Sequence, residues 1–274
     1  MINEIVALYS IIDDLLKALG QREDCRRRIS DAEVITAALV ATRYFGGNQA
    51  QACQYLQEHR LIPKMLSASR FNRRLHALDE LIYNLQQQLG LLWMQLNDTV
   101  EYLLDSVPIA VCDNIRIARC RLLQGEDYRG YIASKKRYFY GIRIHLVSTA
   151  SGIPVEWVFL PGSASDVRGL TTLPLNLPGG SELYADKAFT DYTVEDNLQQ
   201  MEQIQLLAMR KANSKRADSG AMSYIKQTTR HFIETVFSQI TLRFPKSLHA
   251  TTFKGFLLKV SCFIWSYSLE QAFL

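Results

Sequence analysis

The sequence predicts a helical N-terminal region followed by a domain that mixes helices and strands, an α+β or α/β fold. Through residues 1–100 the apolar residues recur at the three- to four-residue spacing of amphipathic helices. From residue 101 the pattern changes to the alternation typical of strands, most clearly at 138–148. Strand and helix patterns then alternate until two helical segments end the chain. This order is typical of a mixed sheet covered by helices.

The helical region is predicted to contain four helices. The first ends at Gly20, and Ser30 with Glu33 forms a capping-box pattern ahead of the second. A short helix at 50–59 and a long helix at 70–92 follow. Because a helix, a tight turn and a short helix succeed one another, the region resembles a helix-turn-helix. A plain helical bundle would give the same pattern, so both interpretations stay open.

The remainder of the chain is predicted to form one domain, with a boundary between 1–100 and 101–274. Its expected strands, in which the second and third form a hairpin, lie at 101–111, 138–148, 155–160, 183–186 and 205–209. Its expected helices lie at 166–173, 191–201, 223–242 and 253–273.

Composition excludes several classes of protein. Hydrophobic residues make up 48% of the 274 and charged residues 21%, which excludes an intrinsically disordered chain. The five cysteines are scattered without a Cys-x-x-Cys motif, which argues against a disulfide framework or a structural zinc site. No apolar run is long enough to cross a membrane, and no signal peptide is evident. We therefore expect a cytoplasmic protein.

The distribution of charge indicates a polyanionic partner better than the net charge of +4 does. Segment 116–143 carries eight Lys or Arg against two acids, and segment 210–230 carries six against one. Basic clusters separated by neutral stretches are typical of proteins that bind nucleic acid.

Three acids occupy positions where a solvated surface acid is not expected. Asp105 interrupts an apolar strand, Asp186 ends another, and Glu234 lies one turn from Arg230 at the edge of an apolar helix face. Singly, each has an ordinary explanation: a turn cap, a loop start or an ion pair. As a set they could converge on hard cations, because Mg²⁺ prefers oxygen ligands and a buried carboxylate is costly unless it is paired.

Four segments resemble the DDE transposases of bacterial insertion sequences, and their order along the chain agrees as well. They are Tyr102-Leu-Leu-Asp105-Ser-Val-Pro, Tyr140-Gly-Ile-Arg-Ile-His145, Tyr184-Ala-Asp186-Lys-Ala-Phe and Arg230-His-Phe-Ile-Glu234-Thr-Val-Phe-Ser. The resemblance covers nearly the whole chain. It implies a ribonuclease-H-like catalytic core in which Asp105, Asp186 and Glu234 are catalytic and hold two Mg²⁺ ions, for which Mn²⁺ can substitute.

The resemblance also implies an activity and its partners. Metal-dependent cleavage at the element ends would free a 3′-OH, which would then attack target DNA. The partners would be double-stranded DNA, both the terminal inverted repeats and the target, and further copies of the chain in a homodimer or larger complex. The bacterial nucleoid would be the site of action. Two alternatives stay open: a metal-dependent nuclease on the same core that does not join, and a non-catalytic DNA-binding regulator.

One departure from the family pattern concerns residues beside the Arg230–Glu234 motif. Relatives often place a Tyr three residues before the Arg and a Lys seven residues after the Glu, where this chain has Gln227 and Thr241. Lys226, Arg243 or Lys246 are candidates to replace their contacts with DNA.

Basic residues at four places are predicted to bind DNA, although each cluster alone could be a solvated face. Arg70, Arg73 and Arg74 share one face of a candidate recognition helix capped by Ser67 or Ser69, and are expected to reach base edges. The others are expected to contact phosphates or support the site: Lys135, Lys136, Arg137, Arg143, His145 and Arg230. Asp166 is expected to be a helix N-cap.

Overall fold

A computed structural model of the chain describes residues 1–112, 114–132, 136–211, 213–245 and 248–273. Lys135 and Lys246, which the sequence singles out as possible DNA contacts, lie outside these residues. The chain divides into two compact units, Met1–Leu89 with Arg243–Leu274 and Gly90–Leu242. None of the described helices combines the length and the apolar character needed to cross a membrane.

The first unit is helical. Its helices are α1 (Ile2–Ala18), α2 (Asp31–Tyr44), α3 (Gln49–Glu58), α4 (Ala68–Ala77), the first part of α5 (Asp79–Gln95), and α9 (Phe253–Phe273). The expected capping box opens α2: Glu33 N donates to Ser30 Oγ at 3.0 Å, and Ser30 N donates to Glu33 Oε2 at 2.6 Å. Because Val34 to Thr42 is buried throughout, α2 is the central helix of this unit.

The helix predicted at 70–92 is two helices, and that prediction was wrong. The break falls at Leu78, whose backbone leaves helical geometry with φ −100° and ψ 7° and whose N–H bonds Leu75 O in a tightened last turn. Asp79 and Glu80 then open α5, where acidic side chains favour the positive end of a new helix dipole. Apolar spacing continues across the break, so periodicity alone misses it.

Helix α9 packs against α2 and belongs to the first compact unit, together with Met1–Leu89. The helix is buried almost continuously from Gly255 to Leu269. Its hydrogen bonds lead to the helical unit, from Ser261 Oγ to Gln86 Oε1 at 2.7 Å and from Thr42 Oγ1 to Cys262 O at 3.4 Å. A helix that is apolar on every face requires neighbours on every side, and a bundle provides them.

The second unit contains a mixed six-stranded sheet. Its strands are β1 (Glu101–Cys112), β2 (Arg129–Ile132), β3 (Arg137–Thr149), β4 (Pro154–Pro161), β5 (Glu182–Ala185) and β6 (Gln205–Ala208). Strand β3 pairs antiparallel with β1 on one side, and with β2 and then β4 on the other. Strands β1, β5 and β6 are parallel neighbours. This topology agrees with the ribonuclease-H-like core that the resemblance implied.

Three helices accompany this sheet: α6 (Asp166–Thr172), α7 (Tyr192–Asn197) and α8 (Gly220–Leu242). The helix expected at 191–201 ends early, because after α7 the chain continues as a π-helical turn, Leu198–Glu202, to Gln203 in the left-handed conformation. Strand β2 was not predicted, since Gly130 is its one buried residue and the segment has no apolar run, unlike the equally short β5 and β6. Helix α8 packs against β1 and β5, the strands that carry or precede Asp105 and Asp186.

Candidate active site

Asp105 and Asp186 lie at the same level of two neighbouring parallel strands. Leu104 on β1 is the register partner of Ala185 on β5, and each aspartate directly follows its partnered residue. Both strands are interior strands of the sheet, and their residues Leu103, Leu104 and Leu183 are almost fully buried. Asp186 stands where β5 ends, so its carboxylate belongs to the carboxyl edge of the parallel strands. This is the edge where ligands usually bind in open sheets with parallel strands.

The carboxyl group of Asp105 has a strongly perturbed pKa. Burial raises this pKa to about 7; the neighbouring charges of Asp166 and Asp186 add to the rise, while the Ser106 amide and Arg143 oppose it. The amide contact is short, with Ser106 N donating to Asp105 Oδ1 at 2.7 Å. Near neutral pH the site therefore lacks enough positive charge to keep Asp105 fully ionised.

Asp186 has an oxygen atom without a hydrogen-bond partner among the described residues. It occupies the N-cap position of a short 3₁₀ helix, Lys187–Phe189, but its side chain makes no capping bond. Its Oδ1 is buried and accepts no hydrogen bond from the described residues. An unpaired buried carboxylate oxygen is unfavourable unless a cation or a donor from outside the chain satisfies it.

Asp166 faces the same site from α6. The N-cap of that helix is Ser165, whose Oγ accepts from Arg168 N at 3.2 Å, so the prediction that Asp166 is the cap was wrong. Asp166 Oδ1 instead lies 3.4 Å from His145 Nε2 and 3.7 Å from Arg143 Nη1. Burial alone would raise the pKa of Asp166. The nearby polar groups of His145 and Ser106, with the charge of Arg143, hold that pKa below its ordinary value.

His145 is held in place from two sides. Its side chain is completely buried, and the ring of Phe189 meets it edge-on at a centroid distance of 6.2 Å. Gly169 of α6 packs directly on the imidazole, because a Cβ at position 169 would lie 2.0 Å from His145 Cδ2. The imidazole faces the Asp166 carboxylate, which agrees with the expected supporting role, and its contact with DNA stays a prediction.

Arg143 connects three parts of the site. Its Nη1 donates to Ser106 Oγ at 3.1 Å, beside Asp105, and its Nη2 donates to the backbone oxygen of Tyr131 on β2 at 3.2 Å. Its side chain is only 16% exposed. Through these contacts Arg143 holds β1 and β2 in place around the site. Little of its side chain remains exposed for the predicted contact with DNA.

Glu234 is not joined to the aspartates in this structure. It lies on the exposed side of α8, at the edge of the buried face that carries Ile233 and Phe237, and accepts from Arg230 Nε at 3.1 Å. Within the ranges that the structure describes, no three His, Cys, Asp or Glu side chains are placed to hold one metal ion together. An ion pair with Arg230 was the ordinary explanation for Glu234 in the sequence, and the structure contains that pair.

Two of the candidate replacement contacts are engaged within the protein. Lys226 Nζ is buried and donates to Asp218 Oδ1 at 2.7 Å and to Ala208 O, at the end of β6, at 3.1 Å. Arg243 Nη2 donates to Glu270 Oε1 at 2.6 Å. Lys226 therefore fastens α8 to β6 and is not available as a DNA contact.

The arginines of α4 divide into two kinds. Arg70 and Arg73 are exposed. Arg74 instead bonds the completely buried carboxylate of Asp31, which also accepts from Arg27 Nη1 at 2.9 Å. The prediction that Arg74 reads bases therefore does not fit, because a buried aspartate requires its charge. Ser67 is the N-cap of α4, without a side-chain capping bond.

Arg70 and Arg73 border a groove of about 410 Å³ in the helical unit, which Arg27 and Arg28 also line. These last two arginines were not predicted as candidates. The run Arg26-Arg27-Arg28 is a visible signal in the sequence, but nothing in it indicates proximity to α4.

In the remaining basic cluster, Lys136 and Arg137 are exposed at the start of β3. Lys136 adopts a positive φ of 46°, which is uncommon for a residue other than glycine. Both side chains are therefore placed where phosphate contact is sterically open.

Comparison with known proteins gives one match. Residues 96–246, from just before β1 to just beyond α8, match the family model described as the transposase DDE domain. No curated protein and no solved structure matches the chain significantly. The matched stretch is more than half of the chain and contains Asp105, Asp166, Asp186 and Glu234. The chain belongs to the transposase DDE domain family.

Proposed function

We propose that this chain is a DNA transposase that cleaves phosphodiester bonds at the ends of its element and transfers the freed 3′-OH to target DNA. The observation that carries this proposal is the placement of Asp105 and Asp186 side by side at the carboxyl edge of parallel strands. Family membership supports the transposase class. Paired carboxylates are the ligands with which such enzymes hold the metal ions that cleave and transfer phosphodiester bonds.

The carboxylates fit a divalent metal ion. Asp186 Oδ1 is buried without a partner among the described residues, and burial together with the charges of Asp166 and Asp186 raises the pKa of Asp105. Mg²⁺ typically binds one or two carboxylates and leaves its other positions to water and phosphate oxygens. We assign Asp105 and Asp186 to Mg²⁺, or to Mn²⁺ in its place. When bound, a pair of such ions activates water and neutralises charge on the phosphate.

Residues around these ligands fix the positions and charges of the neighbouring side chains. His145 and Arg143 hold Asp166 in its ionised form, as the lowered pKa of that carboxyl indicates. Arg143 also fixes the Ser106 side chain next to Asp105. In this proposal His145, Arg143 and Asp166 are positioning residues, since the charge of Arg143 compensates that of Asp166 and leaves Asp105 and Asp186 to the cation.

Glu234 is the third catalytic carboxylate in the proposal, although its side chain pairs with Arg230. Helix α8 packs against β1 and β5, so Glu234 lies on an element adjacent to both aspartates. Its carboxylate is 56% exposed and Arg230 is 40% exposed, and ion pairs this open to water contribute only about 0–1 kcal/mol. A phosphate that attracted Arg230 would release Glu234 at little cost.

Recognition of the element ends is proposed for the helical region, residues 1–100, and catalysis for 101–274. Arg70 and Arg73 are the proposed base-reading residues, and Arg27 and Arg28 border the same groove. Lys136 and Arg137 are proposed to contact phosphates only, with Lys135 beside them in the sequence. A homodimer or larger assembly would act on paired ends at the bacterial nucleoid.

The experiment is to incubate the full chain with duplex DNA that carries the terminal repeats flanking its gene, in Mg²⁺ or in EDTA. Joined products that form in Mg²⁺ alone are expected. Cutting without joining would identify a nuclease instead, and binding without cutting would identify a regulator. Either outcome would contradict the proposed activity.

A further inference from the structure

Two tyrosines form an exposed aromatic pair on the β2–β3 hairpin. Tyr131 and Tyr138 are register partners, and their rings lie 4.8 Å apart between centroids with a 51° tilt. Tyr131 is 44% exposed and Tyr138 54%, whereas the neighbouring Phe139 and Tyr140 are almost fully buried. The hairpin therefore presents two large aromatic side chains to solvent that its own packing does not use.

The pair is connected to the candidate active site. Strand β1 continues from Asp105 to Cys112, beyond the end of β5, and this continuation pairs with the half of β3 that carries Tyr138. The hairpin thus extends the sheet at the edge where the carboxylates lie. Arg143, which lies beside Asp166 and bonds Ser106, also bonds the backbone of Tyr131, so one side chain joins the hairpin to the carboxylates.

The surroundings of the pair favour a polyanion. Lys136 is exposed two residues before Tyr138, and Arg129, two residues before Tyr131, is 43% exposed and pairs with the exposed Glu126. Basic side chains beside exposed aromatic rings are the arrangement with which proteins hold single-stranded nucleic acid, the charges on its backbone and the rings on its bases.

We propose that Tyr131 and Tyr138 form a stacking platform for an unpaired base of the DNA bound at the carboxylates. The inference rests on the proposed function and adds to it the form of the DNA that is bound. Bases within a duplex are stacked on each other and present only their edges, so a ring platform discriminates unpaired from paired nucleotides. The platform would hold a splayed nucleotide beside the strand that is cut.

The test compares two probes with the full chain in Ca²⁺: a blunt duplex, and the same duplex extended by a short single-stranded thymidine overhang. The wild type is expected to bind the overhang probe more tightly. Tyr131→Ala and Tyr138→Ala are each expected to weaken binding of the overhang probe about tenfold and to leave blunt-duplex binding unchanged. Tyr83→Ala is the matched control, because Tyr83 is 56% exposed on α5, in the helical unit.

A second readout separates stacking from loss of fold. With 2-aminopurine in the overhang, the wild type and the Tyr131→Phe and Tyr138→Phe variants should quench its fluorescence, and the corresponding Leu variants should not. Equal affinity of the wild type for both probes, or equal weakening of both by the Ala variants, would overturn the platform while leaving the proposed function intact. Failure of the wild type to bind either DNA would overturn the proposed function as well.

Discussion

Asp105 and Asp186 stand next to each other because Leu104 and Ala185, which directly precede them, are register partners in the parallel pair β1–β5. Eighty residues of chain separate the two acids, and this pairing brings them together. A slip of one residue would move one of them to the opposite face of the sheet. The identity of the buried leucines that fix the register is therefore as important to the site as the aspartates themselves.

The raised pKa of Asp105 predicts a pH-dependent stability in the absence of metal. Between about pH 4 and pH 7 the folded protein keeps a proton on Asp105 that the unfolded chain has lost. The free energy of unfolding should therefore fall as pH rises through this window, by up to about 4 kcal/mol from this group. Asp105→Asn should lack that contribution. Urea denaturation of both proteins in EDTA across the window measures the difference, and parallel profiles would contradict the assignment.

Mg²⁺ should stabilise the wild-type protein against heat. A ligand that binds only the folded state adds about 2.7 kcal/mol at a hundred times its Kd. Asp186→Asn should lose most of this increase in Tm, because it neutralises the carboxylate whose Oδ1 has no partner in the described residues. Asp98→Asn, at an exposed loop position, is the control and should behave as the wild type. Equal Mg²⁺-dependent shifts in all three proteins would remove Asp186 from the metal site.

Gly169→Ala should disturb the site through His145. The added methyl group would lie 2.0 Å from the imidazole, so either α6 or the ring must move, and we expect a loss of about 1–3 kcal/mol in stability. DNA cleavage should fall further than stability alone explains, since Asp166 moves with α6. Gly220→Ala is the control, because its Cβ would meet nothing within 4 Å. Unchanged melting of Gly169→Ala would show that the contact is not restrictive.

Arg73 and Arg74 are adjacent, yet replacing them with Ala should affect different properties, DNA selectivity for Arg73 and stability for Arg74. Arg74→Ala removes a partner of the buried Asp31 carboxylate and should cost about 3 kcal/mol of stability. Arg73→Ala should leave the melting temperature unchanged and reduce the preference for element-end DNA over random DNA by about 1–3 kcal/mol. Thermal melting and competition gel shifts distinguish the two. A stable Arg74→Ala protein with reduced selectivity would restore Arg74 as a reader of bases.

Much of the fold was predictable from the sequence, because the strands have distinct apolar patterns. β1, β3 and β4 alternate or run apolar over eight residues or more, and each was predicted within two residues of its observed ends. The break at Leu78 was missed because the apolar spacing of the helix continues across it. Strand β2 was missed because Gly130 is its one buried residue. The position of α9 could not be predicted, because an apolar helix packs wherever other elements can surround it, and the local sequence does not indicate which elements do so.

The candidate site was predictable only in part. Asp105 and Asp186 each have an ordinary explanation when taken singly, and they stand out only as part of a set, because a buried carboxylate is costly unless it is paired. The role of Asp166 was missed, since an acid at the start of a helix resembles a cap, and only the fold shows His145 and Arg143 across from it. The burial of His145 and the pairing of Arg74 with Asp31 likewise arise from contacts between distant segments. No local pattern encodes such contacts.

The most direct test is a strand-transfer assay with element-end DNA in Mg²⁺, comparing the wild type with Asp105→Asn, Asp186→Asn and Glu234→Gln. Each variant keeps the size of its side chain, and gel shifts of the same DNA monitor binding, which depends mainly on basic residues. All three variants should bind the ends as the wild type does and form no joined product. Near-normal joining by Asp105→Asn or Asp186→Asn would contradict the assignment of the paired aspartates as the metal-binding, catalytic residues.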